Sequence, residues 1–352
     1  MSVLRQEVIV SGRTRRPPGL ADVARQAGVS PSLVSRILRG DETVRAREDT
    51  RRRVLKAAEQ IGYVPHQLAR NLRTSRAGCI GLVVHDVGNP IYGEIVRGAQ
   101  RAVSRAGSIL MVADAEAITD QARLLQIAGG GRVDGLLWQM AGHAELDELV
   151  RVAARYVPVV LVNSESEGEL TGVHLDDERA AELAMGHLLE LGHERIGFVS
   201  GVPGSRVSER RRRSYRQALR AAGIRRHAAW DVEGGWDPGS GHHAMERLLR
   251  ARPRVTAVLV TNAVVATGVI SAAYDAGVHV PDDLSVVAIH DIWFAERLTP
   301  PLTVVRLPLE DMGERAAQVL LDEDASAGPA SIAVAEPAPE LVVRASTAPP
   351  SR

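Results

Sequence analysis

From residue 79 onward, short apolar runs alternate with amphipathic stretches along most of the chain. The apolar runs lie at 79–86, 108–114, 133–139, 157–163, 195–201, 255–262 and 284–291, and the amphipathic stretches include 91–106, 177–191, 208–222 and 263–276. A strand that is apolar along its whole length is buried on both faces, as in a parallel sheet covered by helices. The pattern therefore predicts an α/β fold with two doubly wound parallel-sheet lobes.

Polar residues stand where several of these predicted strands end. They are His85, Asp86, Asn163, Asn262, His290 and Asp291. Ligands of doubly wound sheets bind outside the carboxyl ends of the strands, so these residues are candidates for a binding pocket. Residues at such positions also cap helices and form turns, and that alternative stays open for each of them.

A different pattern precedes the sheets, at residues 20–38, which read LADVARQAGVSPSLVSRIL. Apolar residues spaced i, i+3, i+4 and i+7 from Leu20 predict a first short helix. Gly28 then permits a sharp reversal, and Ser30 and Pro31 suit the N-cap and the first position of a second helix. The pattern is typical of a helix-turn-helix, whose second helix can lie in the DNA major groove. A helical hairpin in some other core is the alternative.

The second predicted helix and a third helix can enclose a small core. The second helix buries Val34, Ile37 and Leu38 and leaves Ser32, Leu33, Ser35 and Arg36 facing outward. The third helix, near 50–61, carries an apolar stripe of Val54, Leu55, Ala58 and Ile61. The N-terminal part of the chain is therefore expected to be a three-helix DNA-binding domain.

The charge distribution supports a DNA-binding head. The whole chain has no formal net charge, with 43 basic and 43 acidic side chains. Its first 78 residues, however, hold sixteen of the basic and seven of the acidic side chains. A basic segment joined to an acidic remainder is typical of a nucleic-acid-binding domain attached to another module.

Several other classes of protein are disfavoured. Cys79 is the sole cysteine, so neither an intramolecular disulfide nor a zinc site built on cysteines can form. The sequence has no phosphate-binding loop, no dinucleotide fingerprint and no hydrolase or metalloprotease motif. We therefore expect no enzymatic activity, no cofactor and no metal. No secretory signal or membrane-length apolar run is found, so a cytoplasmic location is expected, without membrane association.

From Leu20 to its end, the chain resembles the LacI–GalR (lactose/galactose repressor) family of bacterial transcription regulators. The motifs that carry the resemblance are ADVARQAGVSPSLVSRIL, GYVPHQLARNLR, IGLVVHDVGNPIYGEIVRGAQ, HLLELGHERIGFVSG, LSVVAIHDIWFAERLTPPLTVVRLP and PELVVRAST. The resemblance implies two lobes of the periplasmic-binding-protein type behind the DNA-binding domain. It also implies a repressor whose DNA affinity is modulated by a small molecule bound between those lobes.

The resemblance implies roles for particular residues in DNA binding. Pro31 and Ser32 open the recognition helix, and Arg36 matches a recurrent arginine farther along it. Since Pro31 lacks a hydrogen-bonding side chain, direct readout rests on Ser32, Leu33 and Arg36, with Ser35 beside them. Further positions match a phosphate contact (Thr50), a small residue in the minor groove (Ala69) and an apolar wedge at the operator centre (Leu72).

The resemblance also implies an effector site. Its predicted residues are Asp86, Tyr92, Asn163, Arg211, Trp236, Asn262 and His290. Arg211 matches an arginine that binds effector hydroxyls or carboxylates, and Trp236 matches an aromatic residue that stacks on the ligand. His290 replaces a common aspartate, and Ala263 replaces another. With Arg211, this favours an anionic or phosphorylated ligand over a neutral sugar, although His290 could equally be a structural donor in a capped turn.

The predicted organisation and partners follow from these assignments. A basic extension (1–19), expected to be disordered, precedes the helix-turn-helix domain (20–63), a hinge (64–78), the effector-binding and dimerisation domain (79–347) and a tail (348–352). One lobe comprises 79–175 with 305–322, and the other comprises 176–304 with 330–347. The expected partners are a pseudo-palindromic double-stranded operator, a sugar, sugar phosphate or other small metabolite, and a second copy of the chain. An effector-independent regulator with a degenerate pocket and a periplasmic-type solute-binding protein are the alternatives.

Overall fold

In the computed structural model the chain divides into two units, residues 1–75 and 76–352, here called the head and the trunk. The structure describes residues 18–38, 41, 43–63, 76–118, 121–140, 144–322 and 328–351. Residues 1–17 of the predicted extension and residues 64–75 of the predicted hinge, with Ala69 and Leu72, lie outside these residues. Their assigned roles are therefore tested neither by contacts nor by burial.

The head contains three helices, α1 (Leu20–Ala27), α2 (Pro31–Leu38) and α3 (Glu48–Gln60). Gly28 ends α1 in the left-handed conformation, with φ 63° and ψ 40°, and its N–H bonds back to the carbonyls of α1. The side-chain oxygen of Ser30 accepts a hydrogen bond from the N–H of Leu33 at 3.3 Å. The predicted turn and N-cap are thus both present, and they set the start of α2.

The core of the head differs from the prediction on α3. Its fully buried members are Val23, Ala24, Ala27, Val34, Ile37, Val44, Val54, Ala57 and Ala58. Leu55, predicted to be part of the stripe on α3, is 49% exposed. Since Val54 points into the core, the buried positions on the same helix face are i+3 and i+4, which are Ala57 and Ala58. Leu55 lies about 100° farther round the helix.

The trunk contains two six-stranded sheets. The first has the order β11-β5-β4-β3-β1-β2 and the second has the order β12-β10-β9-β8-β6-β7. Their strands are β1 (Cys79–Val84), β2 (Ile109–Asp114), β3 (Gly135–Gln139), β4 (Val159–Val162), β5 (Thr171–Leu175), β6 (Ile196–Ser200), β7 (Asp231–Glu233), β8 (Ala257–Val260), β9 (Ser285–Ile289), β10 (Thr303–Arg306), β11 (Ser331–Val334) and β12 (Glu340–Val342). All neighbouring strands are parallel except β10 and β12. The predicted pair of doubly wound parallel sheets is confirmed.

Helices cover both sheets of the trunk. They are α4 (Ile91–Arg105), α5 (Gln121–Ala128), α6 (Ala144–Ala153), α7 (Asp177–Glu190), α8 (Arg206–Ala221), α9 (Pro238–Arg250), α10 (Ala263–Asp275) and α11 (Leu309–Leu321). Between most of these elements the connections are short, which fits sequential strand–helix units. Within the described ranges, no helix combines the length and the apolar character that crossing a membrane would require.

The boundary between the lobes differs from the predicted one near the C-terminus. Residues 330–347 were assigned to the second lobe, but β11 pairs with β5 in the first sheet, with Ser331 opposite Gly172. The free edge of β5 offers unpaired backbone groups, and β11 satisfies them before the chain returns to form β12. Residues 303–306 likewise belong to the second sheet as β10. The chain therefore crosses between the lobes after β5, after β10 and after β11.

Buried polar contacts bind the C-terminal segment to the second lobe. His193 Nδ1 lies 2.9 Å from Thr256 Oγ1, and His193 Nε2 lies 2.9 Å from the carbonyl oxygen of Ala348. The hydroxyl of Ser285 donates to the same carbonyl at 2.9 Å. Burial lowers the pKa of His193, so the imidazole is a neutral structural group at physiological pH.

Helices α4 and α11 approach so closely that two glycines face the opposite backbone. A Cβ atom on Gly98 would lie 1.8 Å from the carbonyl oxygen of Glu310, and one on Gly313 would lie 2.2 Å from that of Ile95. Arg101 of α4 forms ion pairs with Glu310 and Glu314 of α11 beside this contact. Because the obstructing atoms are backbone, they cannot move aside as a flexible side chain would.

The substitution Gly98→Ala should therefore destabilise the trunk. The added methyl forces α4 and α11 apart, and overpacking of this kind costs about 1–3 kcal/mol or more. The comparison variant is Gly93→Ala, on the same helix, where the new Cβ would meet nothing within 4 Å. Urea-induced unfolding measures both; equal midpoints for the two variants would contradict the close packing described.

Candidate functional site

The start of α2 is the exposed part of the head's second helix. Pro31 and Ser32 are exposed, and Ser35 and Arg36 are half-buried. Leu33, predicted to face outward, is partly buried against the head's core. Its position one turn before Ile37 explains this, since residues four apart share a helix face. The surface open to a partner is thus formed by polar side chains and the Pro31 ring.

Arg36 is held by the loop that follows α2. Its Nε donates to Asp41 Oδ2 at 2.9 Å, and its Nη2 donates to Thr43 Oγ1 at 2.9 Å. Hydrogen bonds from Thr43 and Arg36 lower the pKa of Asp41 to about 2. The carboxylate therefore stays ionised and orients the guanidinium. Thr50, in the first turn of α3, is half-buried.

In the trunk, two non-glycine residues with left-handed backbone conformation occupy equivalent places in the two lobes. Asn163 (φ 56°) directly follows β4, and His290 (φ 75°) directly follows β9. Each of these strands is third from the edge in its sheet. Asn and His adopt this conformation more readily than most residues, but it is uncommon and clusters at functional sites. In both lobes, therefore, a buried polar residue makes a sharp backbone turn at the carboxyl end of a central strand.

Arg211 lies at the centre of a buried polar cluster in the second lobe. Its Nε and Nη2 donate to Asp177 Oδ1 at 2.9 and 2.6 Å, and its Nη1 donates to the carbonyl oxygen of Thr261 at 2.5 Å. Its Nη2 also lies 3.0 Å from His290 Nε2. An arginine has five N–H donors, so one remains beyond these four contacts. Arg211 therefore links the start of α7, the end of β8 and the end of β9.

Asp177 was not among the predicted site residues, yet it holds the cluster together. It is the first residue of α7, just after the chain leaves β5, and Arg210 Nη2 also donates to it at 2.6 Å. Burial alone would raise the pKa of Asp177, but the charges of Arg211 and Arg210 outweigh it and lower the pKa. The preceding Asp176 caps the helix. Nothing in the sequence distinguishes the capping aspartate from the buried one.

His290 is neutral, and the position of its proton is fixed. Burial and the charge of Arg211 lower its pKa to about 3. Because the guanidinium can only donate, His290 Nε2 must accept the bond from Arg211, and the proton resides on Nδ1. The predicted proximity of Arg211 and His290 is therefore present as a direct contact. Their joint role in binding a ligand stays a prediction.

Asn262 and Trp236 lie at neighbouring strand ends of the same lobe. Asn262 is buried, and its Oδ1 accepts a hydrogen bond from the N–H of Val265 at 2.8 Å, which caps α10. The indole of Trp236 covers Gly201, where a Cβ atom would lie 2.3 Å from the ring. The absence of a side chain at Gly201 is thus what lets the indole lie at the end of β6.

The remaining predicted effector residues belong to the first lobe. The Tyr92 hydroxyl donates to Gln139 Oε1 at 3.0 Å, and the backbone N–H of His85 donates to the same oxygen at 3.3 Å. Burial raises the pKa of Tyr92, with the charge of Asp86 adding to the effect, so the phenol stays protonated. Asp86 itself is exposed. Gln139 is a further candidate that sequence reasoning missed.

Ion pairs link the second lobe to the loop that follows β4. Arg210 Nη1 lies 3.7 Å from Glu165 Oε1, and Arg206 Nη2 lies 3.5 Å from Glu167 Oε2. Since Glu165 is two residues after Asn163, the first lobe's left-handed turn lies near the start of α8. The polar strand ends of the two lobes thus approach each other at this corner.

Comparisons with known proteins agree with this architecture. A model of the bacterial regulatory proteins of the lacI family matches residues 19–66, and one of the periplasmic binding protein-like domain matches residues 185–347. The chain is 32% identical over 302 residues to the catabolite control protein A of Priestia megaterium, covering 85% of this chain and 90% of the relative. The chain belongs to the lacI family of bacterial regulatory proteins. The resemblance seen in its motifs is confirmed, and it is a DNA-binding transcriptional regulator.

Two further relatives cover almost the whole regulator. It is 31% identical over 330 residues to the HTH-type transcriptional repressor PurR of Photobacterium profundum, covering 93% of this chain and 98% of the relative. A crystal structure of the Lac repressor dimer bound to operator and the anti-inducer ONPF superposes with a TM-score of 0.79 at 25% identity. That match covers 95% of this chain and 100% of the other. Head and trunk thus both have counterparts in one regulator.

Removal of the Asp177 charge should strongly destabilise the regulator. In Asp177→Asn, two buried guanidinium groups lose their carboxylate, and breaking a buried ion pair in this way costs about 3–5 kcal/mol. The neighbouring substitution Glu178→Gln removes an exposed partner of Arg213 and should cost less than about 1 kcal/mol. Urea denaturation compares the two variants, and similar losses would show that the Asp177 pair is not the link described.

His290 should make the regulator sensitive to acid. Between pH 6.5 and about 3, the unfolded chain binds a proton at this residue that the folded chain does not. The free energy of unfolding therefore falls as the pH drops below 6.5, by about 2 kcal/mol at pH 5 for this one group. His290→Asn removes the titrating group.

Denaturation at pH 7 and pH 5 measures this contribution. Between pH 7 and pH 5, the free energy of unfolding should fall by about 2 kcal/mol less in His290→Asn than in the wild type. The contribution of His193 is the same in both proteins. An identical acid sensitivity in wild type and His290→Asn would refute the assignment.

Proposed function

We propose that this regulator is a dimeric repressor that binds a pseudo-palindromic operator and responds to a small metabolite bound between its two lobes. The observation that carries the proposal is the helix-turn-helix of the head, whose second helix leaves Pro31 and Ser32 exposed at its start. In this motif the first residues of the second helix contact base edges in the major groove. The DNA target is chromosomal, so we infer a cytoplasmic site of action.

Each proposed DNA contact has a different physical basis. Ser32 and Arg36 supply hydrogen bonds to bases or phosphates, and Pro31, with the exposed part of the half-buried Leu33, supplies apolar contacts such as those made with thymine methyl groups. Arg36 is oriented in advance by Asp41, which reduces the entropy lost when it binds DNA. Thr50 is proposed to contact a phosphate. Ser35, which precedes Arg36 on α2, is also half-buried.

The proposed hinge contacts are Ala69 and Leu72, both outside the described residues. A pair of apolar wedges, one from each subunit, would unstack a base step at the operator centre and bend the duplex. The bending energy is offset by the additional contacts that a bent duplex permits.

The exposed edge of the first sheet supports a dimer. Strand β2 lies at that edge and exposes 68% of Ile109, 47% of Met111 and 41% of Val112. An apolar edge strand with unpaired backbone groups is commonly covered by another chain. The related Lac repressor was crystallised as a dimer on its operator. We propose that two copies of this regulator associate through the β2 edge.

The proposed effector site combines the polar strand ends of both lobes. Asp86, Tyr92 and Asn163 would contribute from the first lobe, and Arg211, Trp236, Asn262 and His290 from the second. A ligand that binds one arrangement of the lobes more tightly shifts the population toward it, and the operator affinity changes with it. A coupling free energy of about 1–3 kcal/mol is usual for such linkage. The effector is a sugar, a sugar phosphate or another small metabolite.

Selection of bound duplexes from a random library tests the DNA-binding proposal on the full chain. We expect enrichment of one inverted repeat, with affinity that falls steeply as the salt concentration rises. Arg36→Ala should weaken binding to the enriched site by about 1–3 kcal/mol. Arg297→Ala, which removes an exposed charge from the trunk, should leave it unchanged. The proposal fails if no duplex is preferred over random DNA, with or without candidate metabolites.

A further inference from the structure

We infer that the effector of this regulator carries an oxyanion, either a carboxylate or a phosphate, which the side-chain N–H groups of Asn262 and His290 bind. The inference rests on the proposed function, because it specifies the chemical class of the ligand in the site between the lobes. It also changes the part played by Arg211, from a direct ligand contact to a positioning residue.

The first step concerns the proton of His290. Arg211 Nη2 donates a hydrogen bond to His290 Nε2 at 3.0 Å, so the imidazole can offer only its Nδ1–H to a ligand. His290 is 2% exposed, and no described residue accepts a hydrogen bond from that N–H. His290 therefore presents a donor, and not an acceptor, at this place.

The second step concerns the orientation of the Asn262 amide. Its Oδ1 is committed to the N–H of Val265, so its Nδ2 is the group left to contact a ligand. Asn262 is 1% exposed, and within the described part of the trunk its Nδ2 has no acceptor. A buried donor without an acceptor costs free energy, which a ligand oxygen would recover.

The two donors lie at adjacent strand ends. Strands β8 and β9 are parallel neighbours, and Val260 pairs with Ala288. Asn262 and His290 each stand two residues beyond that pair, at the same edge of the sheet. Two donors without acceptors therefore stand at the same edge of this sheet, on neighbouring strands.

The electrostatics around the two donors favour negative charge. Helix α10 begins directly after Asn262, so the positive end of its dipole faces the same place. Two guanidinium groups, of Arg210 and Arg211, share the single carboxylate of Asp177. Glu165 is the next nearest acid to Arg210, at 3.7 Å, and its side chain is 44% exposed, so solvent screens it.

An oxyanion satisfies these groups better than a hydroxyl does. A neutral sugar hydroxyl could accept a bond from either N–H, but its own hydrogen would then need an acceptor, which neither Asn262 Nδ2 nor His290 Nδ1 provides. Leaving that hydrogen buried without an acceptor costs free energy. A carboxylate or phosphate oxygen carries no hydrogen and is stabilised by the surrounding positive charge.

Simple anions test the site without knowledge of the natural effector. The full-length regulator is melted in malonate, in inorganic phosphate and in sodium chloride at the same ionic strength. We expect at least one of the two oxyanions to raise the Tm above the chloride control, because a ligand that binds only the folded state stabilises it. A response to malonate alone indicates a carboxylate effector, and a response to phosphate alone indicates a phosphorylated one. D-galactose serves as a neutral sugar probe.

Three substitutions separate this site from other positive surfaces. Asn262→Asp keeps the helix cap, since Asp caps as well as Asn, but replaces the donor with an acceptor. His290→Asp and His290→Asn both suit a left-handed backbone, and only the second keeps an N–H. We expect both Asp variants to weaken anion binding by about tenfold or more, and His290→Asn to weaken it less.

The outcomes are decisive in each direction. A Tm increase above chloride that both Asp variants lose supports the inference. The inference is overturned if neither anion exceeds chloride, if the Asp variants keep the full increase, or if galactose alone stabilises the protein. Binding of the enriched duplex by the wild-type protein is measured in parallel. If the wild-type protein does not bind the duplex, the proposed function is wrong. If it binds the duplex but neither anion raises the Tm above chloride, the proposed function stands and only the oxyanion inference is wrong.

Discussion

The buried ion pair between Asp177 and the two arginines of α8 is the interaction on which the ligand side of the trunk depends. Asp177 follows directly after the first crossover between the lobes, and Arg211 carries its effect to Thr261 and His290. The Asp177 carboxylate therefore fixes the positions of the crossover after β5, of helix α8 and of the ends of β8 and β9. A buried charge pair contributes little net stability compared with apolar packing, so its value here lies in fixing geometry.

The two lobes share one backbone feature. Each sheet ends a central strand with a left-handed residue, Asn163 in one lobe and His290 in the other. This conformation costs energy that the surrounding structure must supply, and it turns a polar side chain at the carboxyl edge of each sheet. The two positions differ in chemistry, because the first lobe has the amide of Asn163 and the second lobe has the neutral imidazole of His290.

Much of the fold could be predicted from the sequence because its signals are local. The seven continuous apolar runs all became strands, and the capping pattern at Gly28, Ser30 and Pro31 set the helices of the head. Five strands, β5, β7, β10, β11 and β12, are not among those runs because each has only three to five residues. Two of the three residues of β7 are acidic. The pairing of Arg211 with Asp177 could not be predicted, since 34 residues separate them and only the tertiary fold joins them. The grouping of Arg211 with His290, 79 residues away, came from the family resemblance and not from a local pattern.

The contact between α4 and α11 has a mechanical consequence. Where Gly98 and Gly313 let one helix backbone rest on the other, the helices cannot slide without a collision of main-chain atoms. Helices α4 and α11 therefore form one rigid unit, although α11 is built from chain that has just left the other lobe. A change in the angle between the lobes would leave this helix pair intact and would have to be accommodated at the three crossover segments.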